Sequence, residues 1–569
     1  MNIRHISLCV LMTLGAMLSS SAQTPTPKKE NKESANQYNY IRSLDVIGSV
    51  MSNINRYFVD TVSVDRMSRK GIDAMLSSLD PYTEYFAAED TDQLKLLTKG
   101  EYGGIGSIIS QRPDSTVVIN EPFEGMAADK AGLKAGDVIL EIDGKDFRKT
   151  TTVKVSEALK GVPGTTIKIL VRRPFEKKDR LFEFKRRIVV VNPITYYGVL
   201  PGNNGYINFN SFTSESADAF KKAFNDLKTN HKIKGLVIDL RGNGGGLIEE
   251  SIKMVNLFVP QGKVVVTTKG RPDLNDENIF KTFSKPVDTE IPITVLIDGQ
   301  SASAAEIVTG ALQDMDRAVV IGQKSYGKGL VQSTRQLPYG GVIKLTTAKY
   351  YIPSGRCIQR IDYHEAREGN TNTVTPDSLT KVFHTAGGRP VRDAGGILPD
   401  ISVVPDSMPT MLFYIATNNI AFDYVTGYMS KHPHISQPEQ FSITDKDYDD
   451  FKKMLIDKKF EYDRQSGKML EKLKEVARLE GYLDSAQETI KKLEEQLKPN
   501  LNRDLEKFKP QITDYINSEI VTRVYYKKGA VKKMLIKDKT VEKALEILNN
   551  SDKYKEILTK KSDEKEVKA

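Results

Sequence analysis

Between Asn192 and Val404 the sequence repeats one pattern: a short, wholly apolar run, a turn of small residues, then a stretch with helical spacing. Gly235–Leu240 leads into Leu247–Phe258, Ile293–Ile297 into Ser303–Gln313, and a further run, Ala318–Ile321, follows. Runs without polar alternation are the mark of strands buried on both faces, and strand–helix alternation argues for an α/β layer with its functional loops at the strand ends. The rest of the chain reads differently. From Tyr38 to about Gly100, apolar positions such as Leu44, Ile47, Val50, Met51 and Ile54 recur at helical spacing, which predicts a small helical N-terminal unit over 38–100. Over 101–185, short β-type runs (Gly106–Ser110, Thr116–Ile119, Asp137–Ile142, Thr166–Arg172) alternate with Gly-rich turns and two helical stretches, an α+β module. Beyond Pro405, over 405–569, the chain is Lys/Glu-rich and helical; Val476, Leu479, Leu483, Ala486, Ile490, Leu493 and Leu497 form a 3,4 stripe that suits a short coiled coil or a bundle helix, ended by Pro499. The fold class expected is therefore multidomain α/β and α+β.

Composition narrows the chemistry. The 569 residues include two cysteines, Cys9 and Cys357, and six histidines, so an intrachain disulfide framework and a multi-His zinc site are both poorly supported. His364-Glu365-Ala366-Arg367-Glu368 has Glu where a zinc-protease helix needs its second His. The net charge of +9 comes from interspersed Lys and Glu with no dominant basic block, which argues against a nucleic-acid partner. Arg4 precedes an apolar run from Ile6 to Leu18, and Ser20-Ser21-Ala22 supplies small residues at a cleavage site. Residues 1–22 thus read as a signal peptide and 23–37 as a flexible tether, giving an exported, periplasmic protein. No later segment is apolar for 18 residues, so no integral membrane segment is expected after signal cleavage, with peripheral membrane association left open.

Three loops carry candidate chemistry. Gly322 to Gly329 nearly spells a phosphate-cradling loop, but Gly329 stands where a Ser or Thr must hold Mg²⁺. Ser303, in Ser301-Ala302-Ser303-Ala304-Ala305-Glu306, follows a strand and a turn at a helix start, where free N–H groups favour an oxyanion; the same string is also a capping box. No His lies near it, whereas Lys328 follows the next strand in a Gly-Lys-Gly turn, and consecutive strands usually neighbour each other. A Lys whose pKa is depressed by burial serves a Ser hydroxyl as general base. Asp239-Leu240-Arg241-Gly242-Asn243-Gly244-Gly245-Gly246 closes a third strand with glycines that expose backbone N–H groups.

Taken with Leu79-Asp80-Pro81-Tyr82-Thr83, Tyr102-Gly103-Gly104-Ile105-Gly106, Ala131–Asp137, Tyr326-Gly327-Lys328-Gly329-Leu330-Val331-Gln332 and Pro353-Ser354-Gly355-Arg356, these strings occur in order over residues 40–404. The chain in this respect resembles the C-terminal processing (tail-specific) peptidases, exported Ser–Lys serine proteases with a PDZ domain. The resemblance implies a ClpP/crotonase-like α/β protease core over 186–404, an inserted PDZ domain over 101–185, and the helical extension outside the shared core. It implies Ser303 as nucleophile, Lys328 as base, Gln332 orienting the Lys, Asp314 in a supporting role, and an oxyanion hole of Ala304 N–H with Gly244 or Gly245. In the PDZ, Gly103, Gly104, Ile105 and Gly106 would meet the terminal carboxylate of a protein or peptide substrate. No metal or cofactor is needed. One departure is an insertion of about 35 residues before Gly396-Ile397-Leu398-Pro399-Asp400. The C-terminal helices are candidates for homo-oligomer or adaptor contacts, or are structural only. The rival expectation is an inactive PDZ scaffold that binds C-terminal tails of exported proteins.

Overall fold

The structure is a computed structural model that describes residues 32–367, 373–404, 406–498 and 500–559. The expected signal peptide, Cys9 and Pro499 lie outside the described residues. The chain divides into two compact units at Met75 and Leu76. The first holds a 26-residue helix, Lys32–Tyr57, and most of Val64–Ser77. Its first helix begins inside the stretch read as a tether: no Pro or Gly follows Pro27 there to stop it. The helical unit expected over 38–100 also ends early, because Glu84–Phe86 is a strand that pairs antiparallel with Val342–Lys344.

The second unit is built on a six-stranded sheet in the order Ile194–Leu200, Asn204–Phe209, Gly235–Asp239, Ile293–Ile297, Val319–Gly322, Ile401–Ser402. The first pair is antiparallel and the rest are parallel. Every residue of Gly235–Asp239 and Ile293–Ile297 is buried, as apolar runs require. On one face, helices Ser216–Asn230, Ile248–Asn256 and Ala304–Asp314 close a core that contains Phe209, Phe212, Phe220, Phe224 and Phe258 in edge-to-face contact. The other face is closed by the far end of the chain. Val541, Ala544 and Ile547 of helix Lys539–Leu548, with Tyr554 of Ser551–Thr559, pack on Tyr206, Val237, Leu296, Val319 and Ile321. The Tyr554 phenol accepts the Ile293 N–H at 3.0 Å.

A second, antiparallel sheet that strand periodicity did not single out runs Glu84–Phe86, Val342–Tyr351, Val264–Lys269, Glu277–Lys281, with Leu330–Gln336 also paired to Val342–Tyr351. The sheet of the expected PDZ module orders Ser107–Gln111, Val117–Pro122, Val138–Ile142, Thr166–Arg172 and Arg180–Lys185, with helices Ala127–Ala131 and Thr152–Leu159. Its core of Val117, Ile119, Ile139, Ile167 and Val171 is separate from that of the six-stranded layer. The C-terminal stripe is not one helix. Gln465–Leu479 ends in a left-handed Gly481 (φ 79°) and Leu483–Leu497 runs back along it, joined by Lys474 and Glu494. A left-handed glycine satisfies the last carbonyls of a helix and turns the chain, which overrides an apolar stripe that runs straight through it.

If helix Lys539–Leu548 is the cover of the central sheet, Ile547→Ala lowers the unfolding free energy in urea by about 2–5 kcal/mol. A cost below about 1 kcal/mol contradicts that role.

Candidate active site

Three adjacent parallel strands deliver three loops to the same edge of the sheet. Gly235–Asp239 leads to the glycine loop, Ile293–Ile297 to Ser303, and Val319–Gly322 to Lys328. The first two loops are pinned together by Asp298. Its Oδ1 accepts the N–H groups of Gly242, Gln300 and Ser301, each at 3.0 Å. Ser301 Oγ donates to Leu240 O at 2.8 Å, and Ala302 N–H to Asn243 O at 2.9 Å.

Ser303 is half-buried and sits at φ 57°, ψ −116°, immediately before helix Ala304–Asp314. An L-residue adopts that backbone only when its surroundings enforce it, and such strain gathers at functional sites. The enforcing group is Glu306. Its carboxylate is fully buried and takes four donors: Ser303 N–H (2.8 Å) and Lys328 N–H (2.9 Å) on Oε2, Ser325 Oγ (2.5 Å) and Gly327 N–H (2.7 Å) on Oε1. Burial pushes this carboxyl upward, against the pull of those donors. The Glu half of the capping box is therefore real, and it also grips the loop that carries Lys328. Tyr326 N–H adds a second tie to that loop by donating to Ser301 O at 3.0 Å.

Lys328 is half-buried, with Nζ 4.3 Å from the centroid of the Tyr82 ring. Burial first, then the nearby Lys344, lower its pKa to about 8; Asp80, Glu306 and Glu84 pull the other way. Tyr82 belongs to the Asp80–Thr83 turn, whose Asp80 carboxylate accepts Tyr82 N–H and Thr83 N–H, both at 2.8 Å.

The remaining expected residues fall as follows. Gln332 lies on the strand that leaves Lys328, but its amide donates to Thr346 Oγ1 at 3.1 Å, and among the described residues no hydrogen bond joins it to Lys328. Gly245, at φ 96°, approaches Ser303 so closely that a Cβ there would stand 2.8 Å from Ser303 Cβ and 2.6 Å from Ala302 O. Its N–H already donates to Asn243 Oδ1 at 2.8 Å. Asp314 lies at the opposite end of the helix from Ser303. It forms a buried ion pair with Arg356 (2.8 Å) and accepts Ser354 N–H at 3.0 Å, which fixes the Pro353–Arg356 turn. Sequence reasoning passed over Glu306 as anything but a cap, and over Asp298, Asn243 and Tyr350, whose phenol donates to Ser303 O at 3.2 Å. The Asp298-Gly299 turn stood in the motif region, but its three-donor role depends on a loop 56 residues away.

In the module expected to be a PDZ, a cavity of about 300 Å³ lies between strand Ser107–Gln111 and helix Thr152–Leu159, lined by Ile105, Ile109, Leu159 and Lys160. Ser107 Oγ, in its wall, is buried and makes no hydrogen bond among the described residues. Gly104 and Ile105 line it too, whereas Gly103 packs on the backbone of the next loop, where a Cβ would meet Gly161 O at 2.2 Å.

Residues 203–376 match peptidase family S41, 93–172 the PDZ domain, and 411–548 the probable PDZ-protease C-terminal helical domain. A carboxy-terminal-processing protease of Bartonella bacilliformis is 36% identical over 329 residues, 57% of this chain and 75% of that one. The chain belongs to the carboxy-terminal-processing proteases of family S41. This S41 chain is a serine peptidase. It is also 34% identical over 322 residues to a probable CtpA-like serine protease of Staphylococcus aureus, over 56% of this chain and 62% of that one. Among solved structures, the photosystem II D1 C-terminal processing protease is 24% identical, with 65% of this chain and 95% of that one covered at a TM-score of 0.35.

Because Glu306 satisfies four buried donors, Glu306→Gln, which turns one acceptor into a donor, is expected to lower stability by about 2–4 kcal/mol. Urea unfolding within about 0.5 kcal/mol of wild type contradicts the role given to that carboxylate.

Proposed function

We propose that this peptidase is an endopeptidase that cleaves exported proteins near their flexible C-termini with a Ser303–Lys328 dyad. The observation that carries the proposal is the shared Glu306 carboxylate, which binds the backbone N–H of both residues and so holds nucleophile and base to one point. Ser303 Oγ attacks the scissile carbonyl while the neutral Lys328 amine takes its proton. The ammonium then returns that proton to the leaving amine. Water, deprotonated by the same amine, resolves the acyl-enzyme.

The oxyanion is assigned to two backbone donors. Ala304 N–H is the first of its helix and has no intrahelical acceptor. Gly244 is the second, since Gly245 N–H is committed to Asn243 Oδ1. Gln332 acts at one remove: it holds Thr346, whose N–H donates to Thr83 Oγ1 at 3.3 Å, and so supports the turn that bears Tyr82. Asp314 and Arg356 anchor the far end of the nucleophile's helix. The substrate tail enters the PDZ groove, where the partnerless Ser107 hydroxyl and the Lys160 ammonium suit a terminal carboxylate. Export follows from the reading of residues 1–22. Among the described residues no helix is long and apolar enough to cross a membrane.

Cleavage of an unfolded protein with a free C-terminal tail is expected to fall by about 10³-fold or more in both Ser303→Ala and Lys328→Ala. Near-wild-type cleavage by either variant refutes the dyad. A base must be neutral to accept a proton, so activity rises with pH up to the Lys328 pKa of about 8 and falls roughly tenfold per unit below it. A profile flat through that range contradicts Lys328 as base.

A further inference from the structure

The Asp80–Thr83 turn and the insertion before Gly396 meet at the base. Tyr363, on the short helix Tyr363–Arg367 of that insertion, stands edge-on to Tyr82, with ring centroids 6.0 Å apart and planes at 88°. Its phenol donates to the Tyr82 phenol at 3.3 Å, and the Tyr82 phenol donates onward to that of Tyr326 at 3.4 Å. Tyr326 in turn lies under the Arg360 guanidinium, 5.4 Å from its ring centroid. The Tyr82 ring is thus fixed from its backbone side by Asp80 and from its phenol side by two tyrosines, with its face over Lys328 Nζ.

We propose that Tyr82, clamped by Tyr363, is a positioning residue that covers the Lys328 amine and keeps water off it. The proposal rests on Lys328 being the general base. A ring face attracts an ammonium, which favours the charged form, and it also displaces water, which disfavours that form. The groups around Nζ divide the same way. Lys344, from the antiparallel sheet, disfavours the ammonium, while Asp80 of the turn, Glu84 of the edge strand and Glu306 of the nucleophile's helix favour it. Three carboxylates against one ammonium would leave the amine protonated, so exclusion of water is what keeps it available. The Tyr82 and Tyr363 phenols are themselves pushed upward by burial, so they stay protonated wherever the amine titrates. Without the insertion nothing donates to the Tyr82 phenol from the Tyr363 side, which gives the extra segment a function at the site.

The test is the pH dependence of Ser303 labelling by a fluorescent fluorophosphonate, which needs the base but no identified substrate. Tyr82→Leu, which removes the ring, is expected to move the limb upward by more than about half a pH unit, or roughly threefold slower labelling below it. Tyr363→Ala moves it the same way by less. Tyr82→Phe retains the ring and keeps the limb in place while labelling slows across all pH values. A limb unmoved in both Tyr82→Leu and Tyr363→Ala, or moved downward, overturns the proposal; should Tyr82→Leu fail to fold by near-UV circular dichroism, Tyr363→Ala decides alone. A merely structural role lowers labelling without moving the limb. Lys328→Ala separates the two levels: labelling that retains the wild-type limb in that variant sinks the dyad itself, whereas loss of labelling there with an unmoved limb in the tyrosine variants sinks only the positioning role.

Discussion

The site depends on one buried carboxylate. Glu306 sits in the first turn of the helix that follows Ser303, and each of its oxygens takes two donors. An ionised carboxylate offers about four acceptor sites, so the four donors saturate the group. Two consequences follow. The Ser303 backbone is drawn into a conformation that a free L-residue avoids, and the stretch Ser325–Lys328 is drawn against it from the next strand. The strained Ser303 backbone and the approach of the Lys328 loop to it are two effects of the same four hydrogen bonds.

The parts legible in the sequence are those with a local signal. Ile293–Ile297 and Thr166–Arg172 were readable to the residue because unbroken apolar runs and β-branched alternation report on the strand itself. The adjacency of Ile293–Ile297 and Val319–Gly322 followed from their order in the chain. Most of what the sequence leaves unread is non-local. Ser303-x-x-Glu306 spells a cap, and only the fold brings Gly327 and Lys328 to the other lone pairs. The family resemblance implies Gln332 as the group that orients Lys328; in the structure it is on a strand, and its amide reaches across to Thr346 on the neighbouring one. The stripe from Val476 to Leu497 satisfied helical periodicity while a single glycine divided it.

The C-terminal extension illustrates a different limit. By composition it is a charged appendage, and its middle part does form a separate helical core around Phe451, Ile512, Ile516 and Ile520. Its last two helices, however, supply the apolar layer that a parallel sheet needs on its second face. Asp538 marks the change of role: it caps helix Lys539–Leu548 through Thr540 N–H and Val541 N–H, and it binds Arg241, which is itself paired with Asp239 at the end of a central strand. The residue that starts the covering helix is thereby tied to the root of the glycine loop.

The proposed use of lysine rather than histidine as base carries a structural demand that the fold meets at a distance. An imidazole is neutral near pH 7 without help, whereas an ammonium must be desolvated by more than its neighbouring carboxylates favour it. Lys328 has three such carboxylates near it, and its cover cannot come from its own Gly-Lys-Gly turn, which has no side chains to spare. The proposed cover is Tyr82, more than two hundred residues earlier in the chain. From that turn the chain passes through strand Glu84–Phe86 and helix Thr91–Lys99, whose Leu96 lines the PDZ groove, and then into Tyr102 and Ile105 of the same groove. Tyr82 and the wall of the PDZ groove are therefore neighbouring parts of one continuous segment. A base that needs no cover has no need for that continuity; if Lys328 is the base, as proposed, whatever holds Tyr82 in place sets the pH range over which it works.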